Sequence, residues 1–492
     1  YAIFLILYSI YFLIQLPYLT ISPTILIDEG WYANPSFNFI SGRGLNDTIA
    51  YRETSVGHEL FVYPVLLGVF YKLFGVSLFT TRLFSILSGF VALVGFIKIL
   101  KELKISKVHI IFAGSLFIFS NVFYIVFRTG RPGALVVCLA IWSLLYLIKT
   151  YNSNSLISAF LCGITATASA LCHPHGALYM ALFFLVISYE SVNRKNYKLI
   201  LYYLFGCIPL IMIFIINLIA IRYDYIWQFI GYVIGRTSLE SGDSIFVNLY
   251  SNIFDFVKSY SLGYKRILIL LFEIGILIFG LSYFKRQKII FILSSMGISF
   301  FLISFLFFSP FVSRHFGEII IFSIILYALL IEYHKSQKKM YTYLVFLGIL
   351  ILGNNVAGDL YILVRDYQKT SYSYLEKKID NIVPDNTNVL APIEFWFPLK
   401  ENYIFNSHTR YRNMSYKSLK NFISSNDADY IIYTDYKLDE VTPTSGRKEP
   451  LPSYKADYYE QVKKYSQSNG EIIEVIKTDG YSDIEIWKVK KD

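Results

Sequence analysis

The chain has 492 residues, of which 55% are hydrophobic, 18% aromatic and only 16% charged. A soluble domain carries about 25% charged residues, so the composition excludes an ordinary water-soluble protein of this length. The net charge of +10 does not point to nucleic acid, because Lys and Arg fall in short loops between apolar runs and not on one continuous face.

In chain order, about eleven segments approach the roughly twenty apolar residues that a spanning helix needs. They are 1–21, 78–99, 108–127, 133–149, 155–172, 174–189, 199–221, 266–283, 289–309, 316–333 and 341–363. The first lacks a basic leader and a small-residue cleavage site, and reads as a retained membrane helix rather than a signal peptide. Cys138, Cys162, Cys172 and Cys207 all lie in or beside these runs, with no CxxC spacing. They read as small apolar packing residues, not as a disulfide framework or zinc site.

Basic residues set the orientation. Lys101, Lys104 and Lys107, then Arg194, Lys195 and Lys198, then Lys285, Arg286 and Lys288, then Lys335, Lys338 and Lys339 occupy alternate loops. Those loops are assigned to the cytoplasm. The protein is then a multi-pass protein of the plasma or inner membrane, with an extracytoplasmic loop at 22–77 and an extracytoplasmic end after residue 363. Within 22–77, the run from His58 to Gly75 is apolar but short and carries Lys72, and is expected to lie in the interface. "EGWYANPSFNFISG" is a weaker second such helix, with Trp31, Tyr32, Phe37 and Phe39 at the boundary and Pro35 interrupting it.

After residue 363 the composition turns polar. "SYSYLEKKIDNIV", "SYKSLKNFISS" and "DYYEQVKKYSQ" have helical patterns, while "NVLAP", "DYIIYTDY", "EIIEVIKT" and "IEIWKVK" read as strands, the last two a hairpin across "DGYSD". This gives two domains: a membrane domain over 1–365 and a small α/β domain over 366–492. The second contains no chemical motif and reads as a lid or docking domain.

The polar residues that could do chemistry share the extracytoplasmic side. In "ILIDEGWYA", Asp28 and Glu29 are adjacent carboxylates among apolar and aromatic neighbours, a setting that raises a carboxyl pKa and improves a base. The structural alternative is a solvated loop start. Arg128 and Arg131 in "FRTGRPGAL" oppose the topology bias, and read either as phosphate ligands or as snorkelling anchors. "HPHG", with His173 and His175, offers polar contacts to a substrate. Together with His58 and Glu59 it offers ligands for a divalent metal, and otherwise it is a simple turn. Arg314 and His315 in "SRH", and Arg236, are further phosphate or headgroup ligands, each weighed against ordinary interfacial placement.

These motifs resemble those of GT-C glycosyltransferases, most closely the dolichyl-phosphate-mannose protein mannosyltransferase and aminoarabinose-transferase-like family. "DEGWYA" keeps that family's Asp-Glu-x-x-Tyr-Ala spacing from Asp28 to Ala33. Lys72 to Ser77 and the pair Arg82–Leu83 match a second stretch, and "FRTGRPGAL" resembles an Arg-Pro-Asp-Ala-Leu element. The resemblance covers the membrane part in order and is most specific over 20–140. It implies a polytopic α-helical membrane fold carrying a small α/β domain, and transfer of a sugar from a polyprenyl-phosphate donor to an acceptor hydroxyl with inversion. It assigns the general base to Asp28 and a supporting or acceptor-contacting role to Glu29. Arg131 matches the family element. Arg131, together by topology with Arg128, Arg236, Arg314 and His315, is assigned to the donor phosphate, and His58, Glu59, His173, His175, Trp31 and Tyr32 to substrate contacts. Membrane lipids and a glycan, lipid or protein acceptor are the other expected partners.

Two departures stand out. Gly133 replaces the family's Asp, so that either the acceptor differs or a carboxylate such as Glu53 or Glu59 substitutes, and Leu60–Phe61 replace a Pro-Pro pair. Two other readings remain: a transporter or flippase of lipid-linked sugars, and a non-catalytic GT-C-like assembly protein.

Overall fold

Apolar runs become helices because a backbone excluded from water must satisfy its polar groups within the segment. The computed structural model describes residues 2–45, 60–221, 267–307, 317–405, 416–434, 439–441, 448–450 and 453–491. Helices run in the order α1 (Ala2–Gln15), α2 (Ile27–Ile40), α3 (Val62–Phe74), α4 (Leu78–Glu102), α5 (Lys107–Ile118), α6 (Asn121–Arg128) and α7 (Gly133–Ser153). They continue with α8 (Leu156–Ala170), α9 (Gly176–Asn193), α10 (Lys198–Ile221), α11 (Ile267–Leu281), α12 (Lys288–Phe307), α13 (Gly317–His334) and α14 (Lys338–Asp366).

By length and composition, five helices among the described residues can cross a membrane: α4, α7, α9, α14 and the Lys198–Asn217 part of α10. A sixth results if α5 and α6, bent 58° against each other, are taken as one. The stretches Leu5–Gln15, Val62–Phe74, Leu156–Ala170, Leu268–Leu281, Lys288–Ser304 and Ile319–His334 are apolar but have 10–17 residues, so length among the described residues supports five or six spans where the sequence suggested eleven. The expected continuous run over 108–127 is broken at Phe119–Ser120. Ser120 caps α6, its hydroxyl accepting the Phe123 N–H at 3.5 Å, and a serine at that position favours starting a new helix.

Close crossings use small residues. A Cβ on Gly163 of α8 would run into the Tyr203 carbonyl of α10, and one on Gly206 into the Phe160 carbonyl. Both positions need glycine for the backbones to approach. The basic loops gather at one end of the helical body, where Glu190 pairs with Arg194 and Lys288, and Glu332 with His109. Asp28 lies at the other end.

Two segments expected in the interface are helical. α3, with 13 residues, is too short to span and packs on α2. Pro35 sits inside α2, so it does not interrupt the helix. The packed side, with Ala33, Asn34, Ser36 and Asn38 all buried, holds it through the lost backbone bond.

Beyond α14 come α15 (Tyr372–Ile382), a 3-10 turn (Ile393–Phe395), α16 (Tyr416–Ser425), α17 (Ser453–Asn469) and strands β1 (Asn388–Leu390), β2 (Tyr403–Phe405), β3 (Tyr430–Thr434), β4 (Asp439–Val441), β5 (Lys448–Pro450), β6 (Gly470–Ile476) and β7 (Ile484–Val489). Five strands form one sheet in the order β2-β1-β3-β7-β6. β1 pairs in parallel with β2 (Val389 opposite Ile404) and β3 (Val389 opposite Tyr430), whereas β7 is antiparallel to β3 (Ile432 opposite Ile486) and to β6. β4 and β5 form a separate antiparallel pair. Period-2 alternation divides the sheet faces. Ile432, Ile484 and Ile486 join the core of the helical body, while Ile431 and Tyr433 pack with Leu419, Ile423 and Val462 under α16 and α17.

Candidate functional site

The site begins with the connector between α1 and α2. Its carbonyls have no helical partners, and a buried carbonyl must find a donor. Two arginines supply them. Arg128, fully buried at the end of α6, donates Nε–H and Nη2–H to the Ser22 carbonyl at 3.1 and 2.9 Å and Nη2–H to the Pro17 carbonyl at 2.7 Å. Its Nη1 donates to the carbonyls of Ile14 and Gln15. The structure therefore uses on the chain's own turn the guanidinium that topology assigned to a phosphate. Arg82, in the second turn of α4, donates Nη1–H to the carbonyls of Leu19 (2.7 Å) and Pro23 (2.8 Å).

The rest of the Arg82 fork closes on Glu29: Nε–H to Oε1 at 2.9 Å and Nη2–H to Oε2 at 2.8 Å, with both side chains sealed from solvent. Glu29 also accepts the N–H of Leu26 at 3.0 Å and of Gly130 at 2.7 Å. Its oxygens are thus fully occupied inside the protein. Beside Asp28 it acts as a framework group: it ties α2 to α4 and fixes the residue preceding Arg131. Sequence reasoning missed this pairing. Its one signal was an arginine just inside an apolar run, which needs a buried anion.

Asp28 stands in the first turn of α2. Its Oδ2 pairs with Arg131 Nη2 at 2.7 Å, and the side chains are 22% and 13% exposed. Unlike Glu29, this carboxylate can be reached. The sequence suggested apolar and aromatic neighbours for this carboxylate; the structure adds an ion pair to a guanidinium.

Aromatic rings extend the site. Trp31 and Tyr32 stack at 5.6 Å, and Tyr32 meets Tyr63 of α3 edge-on at 6.1 Å. The Val62 N–H donates to the Leu171 carbonyl at 3.3 Å, pinning the start of α3 to the "HPHG" corner. There the His173 and His175 rings are 4.8 Å apart, and the His175 N–H reaches His173 Nδ1 at 3.4 Å. The start of α3 is thus linked on one side to the acidic motif through Tyr32 and on the other to the segment leading into the histidine corner.

The C-terminal domain braces the same helix. A Cβ on Gly30 would lie 2.6 Å from the Ile393 carbonyl and 3.0 Å from Trp396 Cβ, and Trp396 packs edge-on against Phe37 at 6.0 Å. The Tyr372 N–H donates to the Thr20 carbonyl at 2.9 Å, and Lys369 Nζ reaches Thr24 Oγ1 at 3.1 Å.

His58, Glu59, Glu53, Arg236, Arg314 and His315 lie outside the described residues. Among the described residues, no three His, Cys, Asp or Glu side chains gather as a metal would require. The four cysteines are buried thiols.

No protein-family model and no curated protein matches the sequence. Solved structures do match. Over 98% of this chain and 97% of theirs, the structure resembles the crystal structure of ArnT from Cupriavidus metallidurans bound to undecaprenyl phosphate, with a TM-score of 0.60 and 11% identity. It resembles the same protein in the apo state over the same shares, with a TM-score of 0.61 and 10% identity. From end to end, the fold of this chain is the fold of ArnT.

Proposed function

We propose that the protein is an integral membrane glycosyltransferase that moves a sugar from a polyprenyl-phosphate donor to an acceptor hydroxyl. The observation that carries this reading is the reachable Asp28 carboxylate, paired with Arg131 at the end of an ArnT-like helical body. A lipid-linked donor suits such a body, because its tail can lie in the bilayer while its phosphate stays at headgroup depth.

In this reading Asp28 removes the acceptor's proton as the hydroxyl oxygen bonds to the anomeric carbon. The bond from that carbon to the phosphate oxygen breaks on the opposite face, so the configuration inverts. The electron pair leaves with the polyprenyl phosphate. Cations must meet that charge, and His173, His175, Arg236, Arg314 and His315 are assigned to it. Trp31 and Tyr32 offer a ring surface to the sugar. The basic loops are assigned to the cytoplasm, with Asp28 and the 366–492 domain on the extracytoplasmic side and about eleven apolar helices in the membrane.

The test is Asp28→Asn in cells lacking the native chain, followed by metabolic labelling of surface glycans. Loss of transfer by about 10²–10⁴, with normal protein level and melting temperature, is expected. Unchanged transfer would remove Asp28 from the mechanism.

A further inference from the structure

Two buried donors around the acidic motif are unused. Arg131 Nε and the Tyr63 hydroxyl are sealed from solvent and have no hydrogen-bond partner among the described residues. Tyr63 is 1% exposed. Its hydroxyl lies within electrostatic reach of Arg131 and Glu29, and its ring meets Tyr32. Leaving such groups unpaired is costly, so each wants an acceptor.

The guanidinium geometry says which kind. Nε–H and Nη2–H point in parallel, as in Arg82, where they take both oxygens of Glu29. In Arg131, Nη2 carries Asp28 Oδ2 at 2.7 Å, and Nε is its neighbour on the same guanidinium edge. Whatever accepts from Nε therefore lies against the Asp28 carboxylate. An anionic oxygen would be repelled there. A hydroxyl would not, because it has lone pairs for donors and a proton for the carboxylate.

We infer that Arg131 Nε and the Tyr63 hydroxyl seat the acceptor's hydroxyl oxygen, holding its proton toward Asp28. This rests on the transferase reading and moves Arg131 from the donor's phosphate to the acceptor. The partly exposed Asp28–Arg131 pair leaves the approach open. Tyr63 then belongs to the substrate-binding set, and the sugar's leaving phosphate is met by other cations.

The experiment compares the full-length wild type with Tyr63→Phe, which removes one oxygen and keeps the ring. Two readouts are needed: glycan transfer by metabolic labelling in cells, and binding of undecaprenyl phosphate to the purified protein in nanodiscs. Transfer reduced at least tenfold with undecaprenyl phosphate affinity within twofold of wild type is the expected result. Wild-type transfer in Tyr63→Phe overturns the inference. So does a parallel tenfold loss of undecaprenyl phosphate binding, which would make this a phosphate seat. A wild-type chain that neither binds undecaprenyl phosphate nor transfers sugar defeats the transferase reading itself, and the inference with it.

Discussion

Glu29 and Arg82 form a buried two-point ion pair that joins the start of α2 to the second turn of α4. The carboxylate next to it, Asp28, pairs with Arg131 at a surface that can be reached. One residue of offset on a helix separates a sealed acid from an accessible one. Breaking a buried pair leaves an uncompensated charge. Glu29→Gln should therefore cost about 3–5 kcal/mol of stability, read by denaturation in detergent micelles. A melting temperature equal to wild type would return Glu29 to the list of reactive groups.

Arg128 separates scaffold from ligand in the same way. Arg128→Lys keeps the charge but cannot reach the carbonyls of Ile14, Gln15, Pro17 and Ser22 together. A loss of about 2–4 kcal/mol is expected, since hydrogen bonds to a charged group contribute about 1.5–3 kcal/mol each. Undecaprenyl phosphate affinity of the folded fraction should not change. A stable variant with weakened binding would reverse the assignment.

Gly30 has no room for a side chain. Gly30→Ala sets a methyl 2.6 Å from the Ile393 carbonyl, and overpacking of this kind costs about 1–3 kcal/mol. The expected signature is faster protease cleavage between α14 and the C-terminal domain. Wild-type protease resistance would mean that the domain yields without cost.

Glu376 of α15 gives a pH dependence. It accepts the Leu78 N–H, and burial pushes its carboxyl up to about 7. A folded-state pKa above the unfolded value means that the folded state binds more protons. The stability from this group is therefore present at low pH and is lost as pH rises from about 4.5 to 7. Glu376→Gln should match wild type near pH 5 and be more stable near pH 8, by on the order of 1–3 kcal/mol. Equal melting temperatures at pH 8 would refute this.

The helices and most strands were legible because apolar period and turn residues are local signals. Strand β2 was missed because three residues, Tyr403–Phe405, are too few to show alternation. The role of Arg128 could not be read locally either. Its partners lie over a hundred positions back in the chain, and only tertiary packing reveals that carbonyls, not phosphate, take its donors. The adjacent carboxylates were legible, but the pairing of Asp28 with Arg131, about a hundred positions on, was not.

The brace on α2 also sets an order of assembly. Asp28 is translated hundreds of residues before Tyr372, Ile393 and Trp396, which pack on its helix and the connector leading into it. A nascent chain stopped after α14 would carry every residue of the acidic motif without the support behind it. Competence would then arrive late in synthesis, when the C-terminal domain closes against the connector and α2.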